Sequence, residues 1–162
     1  MSFKKLRLIH TSDTHLGDVT GHPQAADALI SVVDAVADNE GDMLLLVGDV
    51  FDNERVSDEV LDSFLTQIAR FDTPALVLPG NHDLIHETFP STGVRPFKML
   101  RKTCSSLKGA EGEVLSFPDL GIDFFGARGM PMHTPAFKPL QGMPPHWQQL
   151  ARGDGSWSFS LR

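Results

Sequence analysis

The chain has one cysteine, Cys104. An intramolecular disulfide is therefore excluded, and a reducing compartment is the simplest reading. No apolar run approaches the ~20 residues needed to span a bilayer. The basic N-terminus, from Met1 to His10, has an apolar stretch too short for a secretory signal and meets a polar loop at once. The expectation is a soluble, cytoplasmic protein with no membrane partner. Basic residues are in the minority, 14 against 21 acidic, for a net charge of -7. No basic surplus is present to hold a phosphate backbone by itself. This argues only weakly against nucleic acid, because part of the negative charge lies in carboxylates that bound cations would neutralise. Internal repeats and low-complexity tracts are also missing.

What remains is an ordinary globular composition. At 162 residues and 41% apolar, the chain has the size of one domain and would bury roughly 70% of the surface its unfolded form exposes. Residues from about Lys5 to His10 read as a strand. Pro23 then opens a stretch whose apolar positions, Ala26, Leu29, Ile30, Val33, Val36 and Ala37, follow a helical period. Met43–Val47 is a continuous apolar run of strand length, as in a parallel strand covered on both faces. Ser57 or Asp58 can cap a second helix with Val60, Leu61, Phe64, Leu65 and Ile68 along one side. Ala75–Leu78 gives a third strand, ended by Pro79 and Gly80.

The order β-α-β-α-β implies right-handed crossovers and a parallel sheet in an α/β fold. Beyond Asp83 the pattern weakens to a loop over 89–96, a short helix near Phe97 to Lys102 and antiparallel strands Glu113–Phe117 and Ile122–Gly126. A proline-rich irregular segment from Gly129 to Pro145 follows, and another strand could start within Trp157 to Leu161.

In a parallel sheet the functional crevice lies beyond the carboxyl ends of the strands. That is where the metal-type residues fall: Asp13 and His15 after the first strand, Asp49 after the second, Asn81 and His82 after the third. An Asp-x-His pair gives one cation a hard oxygen and an imidazole, a mixed set suited to manganese, iron or zinc rather than calcium. Asp49 can bridge two ions and Asn81 can add an amide oxygen to the second. Two cations ~3.5–4 Å apart would polarise a phosphoryl group and activate a water for in-line attack. His82 is better cast as proton donor to the leaving oxygen, with Asp52 orienting its imidazole. Gly48 and Gly80 suit tight strand-end turns in which a larger side chain would obstruct the approach.

Taken singly, each of these residues has a plainer reading. A strand-end Asp is most often a cap or turn former. Asn81 could be a turn residue, and Asp52 belongs to an acidic cluster with Glu54, Asp58 and Glu59 that would favour a helix N-terminus. Three blocks in order, each after a strand, outweigh those readings. His10 reads as a packed or supporting residue. Asp18 and His22 read as solvated loop residues, and His133 and His146 as loop residues without a partner motif.

With these residues in place, the chain resembles the calcineurin-like metallophosphoesterase superfamily, whose pattern runs Asp-x-His, Gly-Asp-x-x-Asp, Gly-Asn-His-Asp/Glu, then a separate His and a final Gly-His-x-His. The first three blocks match residue by residue. The wording His-Thr-Ser-Asp-x-His-Leu-Gly with Gly-Asp-x-Phe-Asp looks most like the branch that includes DNA repair exonucleases and bacterial phosphoesterases. The resemblance implies the N-terminal portion of an α/β/β/α sandwich, with a parallel β-α-β-α-β core followed by a β-hairpin. It also implies metal ligands Asp13, His15, Asp49 and Asn81, an acid pair of His82 and Asp52, two divalent ions (manganese first, iron or zinc second) and a phosphomono- or phosphodiester substrate.

No Gly-His-x-His occurs, and His86, His133 and His146 lack its spacing. The expectation is a single phosphoesterase domain over residues 1–162, incomplete at its C-terminal end, with weak metal binding and little turnover of its own. The alternatives are a non-catalytic metal-binding or assembly module, self-associating or completed by a partner chain, and a component of a DNA exonuclease.

Overall fold

The computed structural model describes residues 5–53, 56–80, 82–83, 104–106, 113–126 and 160–161. The chain divides into two compact units, Met1–Ser106 and Leu107–Arg162.

The first unit is built on strands β1 (Leu8–Thr11), β2 (Met43–Val47), β3 (Ala75–Leu78) and β4 (Cys104–Ser106), with helices α1 (Ala25–Asp38) and α2 (Asp58–Ile68) between the first three. The strands lie side by side in chain order and all pair in parallel. Leu8 sits opposite Met43 and Leu44 opposite Ala75. Met43, Leu44 and Leu46 are wholly buried, which is why β2 reads as an unbroken apolar run: residues on both of its faces need cover.

Helix α1 buries Ala25, Leu29, Val33 and Val36. The stripe is thus rotated from the one expected, since Ala26, Ile30 and Ala37 lie exposed. With small alanines on both sides, sequence period alone does not fix which edge of the stripe meets the sheet. In α2, Leu61, Phe64 and Ile68 are buried and Ser57 is the N-cap, its side chain accepting the Val60 N–H at 3.3 Å. Both helices feed one core with β2 and β3, in which Phe51 meets Phe64 edge-on with ring centroids 5.3 Å apart.

The edge strand β4 was not anticipated. The expected helix near Phe97 to Lys102 and the proline-rich segment from Gly129 to Pro145 lie outside the described residues.

The second unit holds the expected hairpin, β5 (Glu113–Phe117) and β6 (Ile122–Gly126), in antiparallel register from Glu113↔Gly126 to Phe117↔Ile122. Its turn closes through Leu120 N–H to Phe117 O at 3.1 Å and Gly121 N–H to Pro118 O at 3.0 Å. Gly121 takes the left-handed φ of 68° that such a turn asks of glycine. Strand β7 (Ser160–Leu161) pairs with β6 on its other side. Among the described residues, no helix is long and apolar enough to cross a membrane.

Candidate metal centre

The carboxyl ends of β1, β2 and β3 continue into three loops that are bonded to one another. The first two run together by backbone hydrogen bonds: Asp13 N–H to Gly48 O at 3.1 Å, His15 N–H to Asp49 O at 3.0 Å and Leu16 N–H to Val50 O at 2.9 Å. The Thr14 hydroxyl adds a bond to Val50 O at 2.9 Å. The second and third are joined by Gly48 N–H to Leu78 O at 2.8 Å and by the His82 N–H, which donates to the Asp49 carboxylate at 2.9 Å.

Asp83 completes this knitting. Its carboxylate accepts from the backbone N–H groups of Phe51 at 2.8 Å, Gly80 at 2.9 Å and Val50 at 3.0 Å. Burial pushes its pKa up, against the pull of those three amides, and the nearby Asp49 charge adds to the rise. Asp83 ends a sequence motif that by itself assigns it no task. The only signal was an acidic residue ending a Gly-Asn-His-Asp block.

Within this frame Asp13, His15 and Asp49 come together, each offering one ligand atom, with all these atoms within 4.8 Å of one another. They are also three of the four non-glycine residues with positive φ among those described, at 53°, 45° and 46°. Asp and His tolerate that region better than most residues, and it still costs of order 1–3 kcal/mol each. Such strain persists where the surroundings over-determine the conformation, which here means the bonded loops.

Gly80 shows how close the loops run. A Cβ there would collide with both the amide nitrogen and the carboxylate of Asp49. Gly48, with φ 80°, makes the turn ahead of Asp49.

The donor set fits a divalent cation on a further count. Nδ1 of His15 is buried and has no hydrogen-bond partner, an arrangement that costs free energy unless something else is to meet the ring. Two carboxylates and an imidazole suit manganese, iron or zinc.

His15, Asp52 and His82 form a second cluster, again with ligand atoms within 4.8 Å. The expected contact between Asp52 and His82 takes a different form. His82 Nδ1 lies 2.7 Å from the backbone carbonyl of Asp52. The Asp52 carboxylate instead accepts from the Asn53 side chain at 3.0 Å and approaches His15 Nδ1 at 3.7 Å. A carbonyl can only accept, so His82 Nδ1 carries the hydrogen and Nε2 is the ring nitrogen left open.

Asn81, His86, His133 and His146 lie outside the described residues. His10 is exposed on β1. Asp18 and His22, read from sequence as solvated, are bonded to each other at 2.8 Å, and the His22 ring stacks on that of His15.

The calcineurin-like phosphoesterase family model matches residues 6–159. The match extends well past the three motifs and takes in the hairpin. The chain belongs to the calcineurin-like phosphoesterase family.

Proposed function

We propose that this chain hydrolyses phosphate esters, mono- or diesters, with divalent cations held by Asp13, His15, Asp49 and Asn81, manganese being the first candidate. The reading is carried by the convergence of Asp13, His15 and Asp49 from two separate strand ends, each in a strained backbone conformation and within one ligand-sized space. Bound there, the cations would supply Lewis acidity toward the phosphoryl oxygens and lower the pKa of a water.

The chain's own groups do the rest. Asp49 has one carboxylate oxygen fixed by the His82 N–H, which sets the direction of the other toward a cation. His82, with Nδ1 tied to the Asp52 carbonyl, presents Nε2, which in the doubly protonated ring would give its proton to the leaving oxygen and leave the neutral Nδ1–H ring behind. The Asp52 carboxylate, which takes no part in the His82 bond, stands 3.7 Å from His15 Nδ1. A single cysteine fits a reducing, cytoplasmic setting.

The test is hydrolysis of a chromogenic phosphodiester with and without added manganese. Manganese-dependent release of nitrophenolate that disappears in Asp49→Asn supports the reading. No release in either protein overturns it in favour of a binding or assembly module, and release equal in the two overturns the site built on Asp49.

A further inference from the structure

We infer that Asp18 and His22 form a positioning device for His15, fixing its imidazole in the orientation in which it meets a cation. The inference rests on the metal reading of His15 proposed above. A histidine that binds metal generally has its other ring nitrogen tied to a carboxylate, carbonyl or water, which sets the ring's rotation. Among the described residues no hydrogen bond ties the His15 ring: Nδ1 is buried without a partner, and the nearest carboxylate oxygen to it, on Asp52, stands 3.7 Å away. What holds the ring is contact with two other rings. His22 stacks on it with centroids 5.0 Å apart and planes 12° from parallel, and His82 meets it edge-on at 5.1 Å and 79°.

A half-exposed imidazole on a loop would ordinarily turn freely, and ordering it costs side-chain entropy. His22 is 54% exposed, so something must fix it. Asp18 does so. One of its oxygens meets His22 Nδ1 at 2.8 Å, and because a carboxylate only accepts, Nδ1 carries the hydrogen. The other oxygen accepts the N–H groups of Gly21 at 2.8 Å and Thr20 at 3.1 Å. A Cβ on Gly21 would run into this same carboxylate, so glycine lets the loop wrap around it. The backbone adds His22 N–H to Asp18 O and Asp18 N–H to His15 O, at 3.1 and 3.2 Å. The loop from His15 to His22 therefore closes on a single carboxylate, and its outcome is a flat ring laid against His15.

Two measurements test this. In the metal-free protein, NMR of the His15 ring protons should show an upfield ring-current shift that His22→Ala removes and that His22→Phe and Asp18→Ala retain in part. In calorimetric titration with manganese, His22→Ala should weaken binding about tenfold. His22→Phe, which keeps the aromatic face but loses the bond to Asp18, should recover only part of the affinity. Asp18→Ala, which likewise leaves a ring in place but unheld, should match His22→Phe, with urea unfolding reporting that each variant is folded.

Unchanged His15 signals and unchanged manganese affinity in His22→Ala would overturn the positioning role alone. An Asp18→Ala variant as tight as wild type would overturn it as well, since the stacked ring would then need no carboxylate to hold it. If the wild-type chain takes up no manganese, the metal reading of His15 falls and the positioning role falls with it.

Discussion

The buried carboxylate of Asp83 accepts the backbone N–H of Phe51 at 2.8 Å, tying the loop after β3 to the loop after β2. The same carboxylate takes up the amides of Val50 and Gly80. The loop bearing Asp49 and the loop bearing His82 therefore share one anchor, and the distance between them is set before any cation arrives. Electrostatic and ligand sites work best when their groups are held in place by such supporting bonds.

Asp83→Ala should strand three backbone donors. Hydrogen bonds to charged groups contribute about 1.5–3 kcal/mol each, and buried unpaired donors carry their own penalty. A loss of about 3 kcal/mol or more is expected. Asp83→Asn keeps the volume and one acceptor oxygen but turns an amide N–H toward a backbone N–H, so its loss should be smaller, about 1–3 kcal/mol. Urea unfolding midpoints ranked wild type, Asn, Ala would bear this out. An Ala variant as stable as wild type would show that the carboxylate ties nothing together.

The strands whose state follows from burial were legible in the sequence. Met43–Val47 and Ala75–Leu78 are apolar runs because neighbours cover them, and the hairpin strands Glu113–Phe117 and Ile122–Gly126 were marked by the intervening Pro118–Gly121 turn. Cys104–Ser106 carries no such pattern and becomes strand by pairing with Ala75–Val77, a decision taken at the sheet edge and not in the segment itself. The same division runs through the site. Asp13, His15 and Asp49 stood out by residue type and position. The bonds of Asp83 run between loops and those of Asp18 and His22 within one, and nothing in their local sequence distinguishes these residues from ordinary turn residues. Asp52 was expected to meet His82 through its carboxylate, but the contact runs through its carbonyl.

Gly48 and Gly80 should respond differently to alanine. At Gly48 the added methyl has room, with Gly80 Cα 3.9 Å away, and the cost is that of a left-handed backbone at φ 80°, about 1–2 kcal/mol. At Gly80 the methyl would strike the Asp49 backbone nitrogen, which cannot swing aside as a flexible side chain would. Overpacking of that kind costs about 1–3 kcal/mol, and it would also displace the Asp49 carboxylate. Gly80→Ala should therefore lose manganese affinity out of proportion to stability, while Gly48→Ala loses stability first. Parallel unfolding and titration of the two variants decide the matter, and equal losses of affinity would contradict it.

The Asp18 carboxyl should titrate below 3.8, its ordinary value, because the Gly21 N–H and then the His22 ring favour its charged form. A carboxyl lowered in the folded state contributes stability that is present above its unfolded pKa. That contribution is lost as pH falls through the lowered folded value, so the window lies at and below 3.8. Carbon-detected NMR of the side-chain carboxyl reads the midpoint directly. His22→Ala should raise it only part of the way, since the larger cause, the Gly21 amide, remains. A midpoint at or above the ordinary value in the wild type would show that the Asp18 bonds are not formed in solution.

Replacing His82 with Asn separates proton donation from cation binding. The His82 backbone N–H donates to Asp49 whatever the side chain is, so the direction of that carboxylate should survive the change. What disappears is the imidazole held on the Asp52 carbonyl, and with it the proton donor proposed for the leaving oxygen. General acid catalysis of this kind is worth about 10²–10⁴-fold in rate when the leaving group needs a proton, and little when the leaving group departs as a stable anion. His82→Asn should therefore slow alkyl phosphate esters by about that factor and activated aryl esters far less, with manganese affinity close to wild type. Rates on the two ester classes, measured at saturating manganese, carry the decision. Equal losses on both would remove His82 as the acid and return it to a purely structural part in holding the loop.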